Sequence, residues 1–421
     1  MDPNQFAGRK GVGTEHMLVA LVDRVLGLLD KPGMRAVIAA SVDWASAFSR
    51  TDPTKTISKF ISMGLRSSLV SVLIEFLEER EMIVKFNQEE SKLFQLIGGG
   101  PQGSWSGQQC YLTASNDNAD FVEQEDRFKY CDDLTVLELV MLGSILTEYN
   151  FMNHVASDIG LGQRFLPAQE LVTQSNLDKI SVWTENNLML LNKSKTNYLI
   201  FSRAREDFAS RLTVDSTHID RKTETKLLGV WLEESGKWEK NTKEILKRAY
   251  SRVSMLTKLK YAGVRTEDLL HNYKQFVRVM LEYCSVVWHS SLTDQQSRSL
   301  ERCQSVCLSV ILGDNFISYE AALEMTGLEK LFDRRQSRCL SYGLKSVKHP
   351  ENKRFFPENP NLNLTLEARE REPYIVNFAR TKLYQQSAIP YIQRLLNKNA
   401  MQEKQREEEG GLRRDEDISL V

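Results

Sequence analysis

The chain has 421 residues, 41% hydrophobic and 26% charged, with a formal net charge of −1 at pH 7. That is the profile of an ordinary globular protein with room for two or three cores. The bulk charge excludes a uniformly basic nucleic-acid binder, but the charge is unevenly spread. From Lys237 to Arg278 there are eleven Lys/Arg against four Asp/Glu, whereas the last 21 residues carry seven acids against four bases.

The first 13 residues lack an apolar signal-peptide core. The longest apolar stretches are interrupted by Asp23, Arg24, Lys274 or Arg278, short of the ~20 residues a membrane span requires. The expectation is therefore a soluble, intracellular protein with no membrane partner. Six cysteines are scattered without CxxC or zinc-type spacing. Cys303 and Cys307, one helical turn apart in an amphipathic stretch, read as buried thiols in a reducing compartment.

In chain order, Met17, Leu18, Leu21, Val22, Val25, Leu28 and Leu29 predict a helix over 14–30. A turn at Lys31-Pro32-Gly33 leads to a short, wholly apolar segment, Ala36–Val42, which reads as a strand buried on both faces. Asp43 stands at its end. Asp52-Pro53 is an N-cap followed by Pro at the first helical position. Two helices follow, through Ile57, Phe60 and Ile61 and through Leu69 to Leu77. MIVKFN (82–87) reads as a strand, and Gly98-Gly99-Gly100-Pro101-Gln102-Gly103 as a tight loop. After the acidic pair Asp132-Asp133, the pattern predicts a helix over 138–155, a loop over 156–175 and a helix over 176–191. Strands are expected at Tyr198–Phe201, Leu212–Val214 and Thr225–Leu232. From Trp238 onward the chain is mainly helical, with one long amphipathic helix from Leu269 to Trp288.

Asp132 and Asp133 lie between two apolar runs. Adjacent acids repel one another, and a cation relieves the repulsion. Asp43 is the other acid at the end of an apolar strand candidate in the first half. If the two strands lie side by side, the three carboxylates converge. Such a trio suits two Mg²⁺ ions roughly 3.5–4 Å apart, one activating a hydroxyl and one steadying a leaving pyrophosphate. Acids in a hairpin turn are ordinarily just solvated, so the pair alone does not choose between these readings.

The motifs around the pair do choose. In order, the chain carries VDWASAF, GGGPQGS, FKYCDD, WTENNLMLLNKSKTNYLIF and TKLLGVWL. Over roughly residues 5–310 this order and spacing resemble the reverse transcriptases of non-LTR (LINE-type) retrotransposons. The resemblance implies an α+β right-hand polymerase of fingers, palm and thumb, with an antiparallel palm sheet, a helical thumb and a helical C-terminal region. By that pattern residues 1–42 are partial fingers leading into the first palm strand, and 43–236 the palm, with finger insertions at about 54–97. Residues 237–315 are the thumb, 316–398 a helical region without assignable chemistry, and 399–421 a charged, disordered tail. The implied activity is RNA-directed DNA synthesis: a DNA primer's 3′-hydroxyl is extended on an RNA template with dNTPs. Two Mg²⁺ ions serve it, with Mn²⁺ as a substitute.

Carried over residue by residue, Asp43, Asp132 and Asp133 hold the metals, with the Trp44 carbonyl a further ligand. Lys195 is a cation near the departing pyrophosphate. Phe48 stacks under the incoming sugar, and Pro101, Gln102 and Gly103 contact template and nucleotide. Leu227, Leu228 and Gly229 grip the primer end, while Lys240, Lys243, Lys247, Arg248, Arg252 and Lys258 follow a nucleic-acid backbone, a salt-sensitive contact. The chain departs from the family at Ser49, where Asp is usual, at Cys131, and at Trp105 just after the glycine-rich loop. It opens on a segment resembling the middle of the fingers, so an N-terminally truncated element is expected, without the basic residues that clamp a triphosphate. The alternative expectation is a catalytically inactive remnant that at most binds nucleic acid. No protein partner is predictable.

Overall fold

The computed structural model describes residues 1–96, 98–100, 103–141, 172–202, 211–360 and 372–418. The chain divides into two units, Met1–Met17 with Lys31–Thr223, and Leu18–Asp30 with Glu224–Val421. The hairpin expected at the end of the palm thus groups with the helical unit.

The first unit is built on a five-stranded sheet, with β9 (Thr213–Val214) and β10 (Thr217–His218) paired in a separate ladder. β1 (Met34–Val42) lies at the centre, flanked by β7 (Asp133–Met141) and β8 (Asn197–Ser202), with β6 (Arg127–Tyr130) and β11 (Asp220–Lys222) at the edges. The central place suits β1, whose Val37, Ile38, Ala39 and Ala40 are all buried. All pairs are antiparallel except β8 with β11. The sheet is therefore antiparallel but for one edge. Helices α4 (Trp105–Ala114) and α5 (Val172–Asn186) supply Tyr111, Leu177 and Ile180 to a core with Ile38, Val42, Leu134, Val136, Tyr198 and Ile200. Truncating one of these Leu or Ile side chains to Ala costs roughly 2–5 kcal/mol.

Two expectations fail here. Residues 138–141, read as the start of a helix, continue β7 and pair with Ile38 through Met34 of β1. A short apolar run fits either period, and an available partner strand decides it. MIVKFN is not one strand: β2 (Arg80–Met82) pairs with β5 (Phe94–Leu96), and β3 (Lys85–Phe86) with β4 (Glu89–Glu90). The helix read over 14–30 is α1 (Thr14–Asp30), and the Asp52 cap is as read, its side chain accepting from the Thr54 and Lys55 amides at the start of α2 (Pro53–Ser62). α2, α3 (Ser67–Leu77) and α4 share a small core of Ile57, Leu77 and Cys110. Residues 142–171, including most of the remaining expected helix and loop, lie outside the described residues.

In the second unit, β12 (Glu224–Leu227) and β13 (Val230–Glu233) form a hairpin before the 23-residue α6 (Glu239–Tyr261). The long helix expected over 269–288 is interrupted. α7 (Thr266–Asn272) passes into a π-helical stretch, Tyr273–Arg278, then α8 (Val279–Glu282). Cys284 at φ +48° then turns the chain before α9 (Ser285–Trp288). The apolar period is kept, with Leu269, Tyr273, Val277 and Leu281 all buried, so the break is invisible to periodicity. The closing helix, Ala388–Ile418, takes in much of the charged tail; Glu, Lys, Arg and Gln are good helix formers whatever they pack against. Among the described residues all six cysteines are free, Cys303 and Cys307 buried, and no single helix is long and apolar enough to cross a membrane.

Candidate active site

The site follows from strand register. In the β1–β7 ladder Val42 faces Leu134, so the next step sets Asp43 across from Asp133. In the β1–β8 ladder Ser41 faces Asn197, and the turn before β8 brings the Lys195 charge near enough to act on Asp43. Asp43 and Asp133 thus sit side by side at one end of the sheet, with Lys195 within electrostatic reach of Asp43. Asp132 is beside them in the two-residue turn between β6 and β7, where Tyr130 pairs with Asp133. The first turn residue, Cys131, has φ +58°, the sign a tight hairpin favours at that position.

Asp43 is held by main-chain bonds. Its N–H donates to Thr196 Oγ1 at 3.2 Å, and its carbonyl accepts from the Asn192 amide at 2.8 Å. The Ala45 amide donates to Leu190 O at 2.7 Å. This bridge uses Asp43 and Ala45, which leaves the Trp44 carbonyl out of it. The Trp44 indole is buried, donating to Thr184 Oγ1 at 3.3 Å and meeting Trp183 edge-on at 6.3 Å, and so anchors the strand end. Asn192 and Thr196 were missed as supports of Asp43. The signal available was their place in the polar turn NKSKT directly before an apolar strand.

The carboxylates act on one another. Burial first, then the charges of Asp132 and Asp43, push Asp133 up to about 6. Asp43 is also raised by burial and by Asp132, against the opposing pull of Lys195 and a hydrogen bond from the Asn192 side chain. The Tyr111 phenol is raised far above its usual range by burial and the field of Asp132. An all-oxygen donor set carrying unrelieved negative charge has the chemistry of a site for a hard divalent cation. Among the described residues, however, no three His, Cys, Asp or Glu side chains are gathered closely enough to hold one. Lys195 is exposed in the turn before β8.

Phe48 lies in a 3₁₀ turn, Ala47–Ser49, half-buried with its ring 4.5 Å from that of Tyr111. The glycine-rich loop docks on this turn. The Gly99 amide donates to Thr51 O at 2.7 Å and the Gly100 amide to Phe48 O at 3.1 Å. Gly99 has φ +81°, and a Cβ there would lie 2.8 Å from Phe48 O, so only glycine fits. The Arg80 guanidinium donates to the carbonyls of Gly98 and Gly99, a support that sequence reading missed. Pro101 and Gln102 lie outside the described residues. Gly103 has φ +82° with open space beside it.

In the second unit, Leu227 pairs with Val230 across a turn in which Leu228 (φ +45°) and Gly229 (φ +87°) both adopt left-handed backbone, the two-residue hairpin geometry. The Tyr283 hydroxyl donates to Leu228 O at 2.9 Å, and its ring lies 3.0 Å from where a Gly229 Cβ would be. On α6, Lys243, Lys247, Arg248, Arg252 and Lys258 are exposed. At about 100° per residue, Lys243, Lys247 and Lys258 fall within about 60° of one another, with the two arginines further round. Lys240 differs from the expectation. Its ammonium is 2.7 Å from Glu224 and 4.9 Å from the Trp231 ring centre, so it is spent inside the unit.

No known family pattern matches the chain, and no curated protein does. Among solved structures, it is similar to apo telomerase from Candida tropicalis, at 11% identity and a TM-score of 0.36 over 79% of this chain and 49% of that one. It is similar to the same telomerase in complex with a TWJ fragment of telomeric RNA, at 12% identity and 0.36 over 77% and 46%. Telomerase from Candida albicans in a like complex gives 11% and 0.34 over 82% and 51%. The chain spans about half the length of these telomerase chains, and a likeness at this level assigns neither a residue nor an activity.

Proposed function

We propose that the chain is the RNA-directed DNA polymerase portion of a non-LTR retrotransposon. The observation that supports this most is the acidic end of the central sheet: Asp43 and Asp133 on facing strand positions, Asp132 in the adjoining turn and Lys195 near enough for its charge to act on Asp43. The order of the five sequence motifs supplies the retrotransposon context.

Two Mg²⁺ ions, when bound, would activate the primer 3′-hydroxyl and neutralise charge on the leaving pyrophosphate. Asp43, Asp132 and Asp133 would hold them, aided by the Trp44 carbonyl. Lys195 presents positive charge, or a proton, to the departing phosphates. Phe48, backed by Tyr111, would bear on the sugar of the dNTP and disfavour a 2′-hydroxyl. The loop ending at Pro101, Gln102 and Gly103 would meet the template, the Leu227-Leu228-Gly229 turn the primer end, and the exposed bases of α6 the duplex backbone.

The test is primer extension on poly(rA)/oligo(dT) with Mg²⁺ or Mn²⁺. Activity is expected, and activity that survives Asp132→Asn with Asp133→Asn would sink the mechanism. A second reading, an inactive remnant that still binds nucleic acid, draws on the carboxylates' not being gathered around a common point and on Ser49. It predicts salt-sensitive binding of an RNA–DNA duplex with no extension under any metal.

A further inference from the structure

The turn that carries Asp132 and Asp133 is fastened from a distance of 126 residues in sequence. Gln5 is buried, at 2% exposure. Its Oε1 accepts from the Cys131 amide at 3.1 Å, and its Nε2 donates to the Cys131 carbonyl at 3.4 Å. One primary amide thus engages both main-chain groups of the residue whose φ is +58°. The same Oε1 accepts from the Ala7 amide at 3.0 Å, which fixes the side chain's own direction.

The segment bearing Gln5 is itself tied to β6. Gln5 bridges in parallel to Lys129, with the Phe6 amide donating to Lys129 O at 2.8 Å and the Lys129 amide donating to Asn4 O at 3.0 Å. The Asp2 carboxylate is fully buried between Lys129 Nζ at 2.8 Å and Arg127 Nε at 2.9 Å. Burial pushes Asp2 up, but those two cations hold it below its ordinary value, so the anchor stays ionised. Asn4 donates to Arg127 O at 3.0 Å, and the Phe6 and Phe128 rings stack 6.5 Å apart. A segment so firmly placed brings Gln5 to one spot, the left-handed corner of the acidic turn.

We propose that Gln5 is a positioning residue that holds the Cys131 backbone in its left-handed conformation and so sets where Asp132 and Asp133 point. The consequence for metal binding rests on the two-metal reading above; the brace on the turn does not. A cysteine at positive φ is unfavourable on its own, so without the amide the corner relaxes and the acids lose their common aim.

The experiment combines amide hydrogen exchange over residues 129–134 with direct Mn²⁺ binding by calorimetry, in wild type, Gln5→Met, Asn4→Ala and Cys131→Gly backgrounds. In wild type the Cys131 amide should exchange slowly. Gln5→Met should speed exchange in the turn and weaken Mn²⁺ binding at least about fivefold. Asn4→Ala, which loosens the same segment but keeps the Gln5 amide, should weaken Mn²⁺ binding clearly less than Gln5→Met does. Glycine accepts positive φ unaided, so adding Gln5→Met to Cys131→Gly should change Mn²⁺ binding by less than twofold. Fast exchange in wild type, unchanged exchange in Gln5→Met, or an equal loss of Mn²⁺ binding in Asn4→Ala would overturn the brace. Wild-type Mn²⁺ binding that ignores Asp132→Asn with Asp133→Asn would overturn the two-metal reading instead, and the exchange result would still decide the brace.

Discussion

Two of the described tight hairpin turns carry left-handed backbone at residues proposed to work on nucleic acid, and they are held alike but charged differently. The Cys131-Asp132 turn in the first unit carries carboxylates that raise one another's proton affinity, Asp133 most of all. The Leu228-Gly229 turn in the second is apolar and uncharged. Each is fastened through its main chain by a side chain far off in sequence, Gln5 in one case and Tyr283 in the other. Fastening the backbone leaves the turn's own side chains available. The acidic turn therefore carries an electrostatic cost that a ligand can relieve, whereas the apolar turn is at its most stable as it stands.

The contrast can be broken most sharply by neutralising the acidic turn. Asp132→Asn with Asp133→Asn should lower primer extension by at least about 10³-fold, since several kcal/mol of charge stabilisation is lost. Melting by calorimetry should show no corresponding loss of fold.

Gly229→Ala should give the reverse pattern. A Cβ 3.0 Å from the Tyr283 ring, on backbone at φ +87°, should destabilise the protein by about 1–3 kcal/mol. Mn²⁺ binding at the acidic turn should be unaltered, as calorimetry would show.

Asp133→Asn alone sharpens the comparison through pH. Asp133 titrates near 6 in the folded chain against an ordinary value of 3.8, so the folded state holds the extra proton between those values. Stability contributed by Asp133 is thus fully present below about pH 4 and is lost as pH rises through 6. Metal-free Asp133→Asn should melt higher than wild type at pH 7.5, by about 1 kcal/mol after allowance for solvent at this half-exposed group. The gap should close as pH falls to 4. A gap that widens at low pH would contradict the sign. The smallest effect expected is from Tyr283→Phe, which removes one half-exposed hydrogen bond worth about 0.5–1 kcal/mol, seen in urea unfolding.

Much of the site was legible. The apolar run Ala36–Val42 required a buried strand, and Asp43 at its end followed from that alone. The Thr225–Leu232 segment read by pattern as one strand, whereas the structure folds it into a hairpin turning at Leu228-Gly229, a turn that only the family resemblance marked. What was illegible depends on pairing. Nothing in residues 138–141 distinguishes a helix start from a strand until β1 supplies a partner. The break at Cys284 involves a non-glycine residue at positive φ, which no local pattern marks. Gln5, Asn192 and Arg80 act through backbone groups, so their value lies in where other segments put a carbonyl or an amide.

The strand order has one further consequence. Asp133 and Asp43 lie one strand spacing apart, about 4.7–4.9 Å, and Lys195 is near enough to act on Asp43 alone, a row anionic at one end and cationic at the other. Such a row is a dipole laid across the sheet edge. An extended anionic ligand held there by cations would be favoured in one sense only, its free charge toward Lys195.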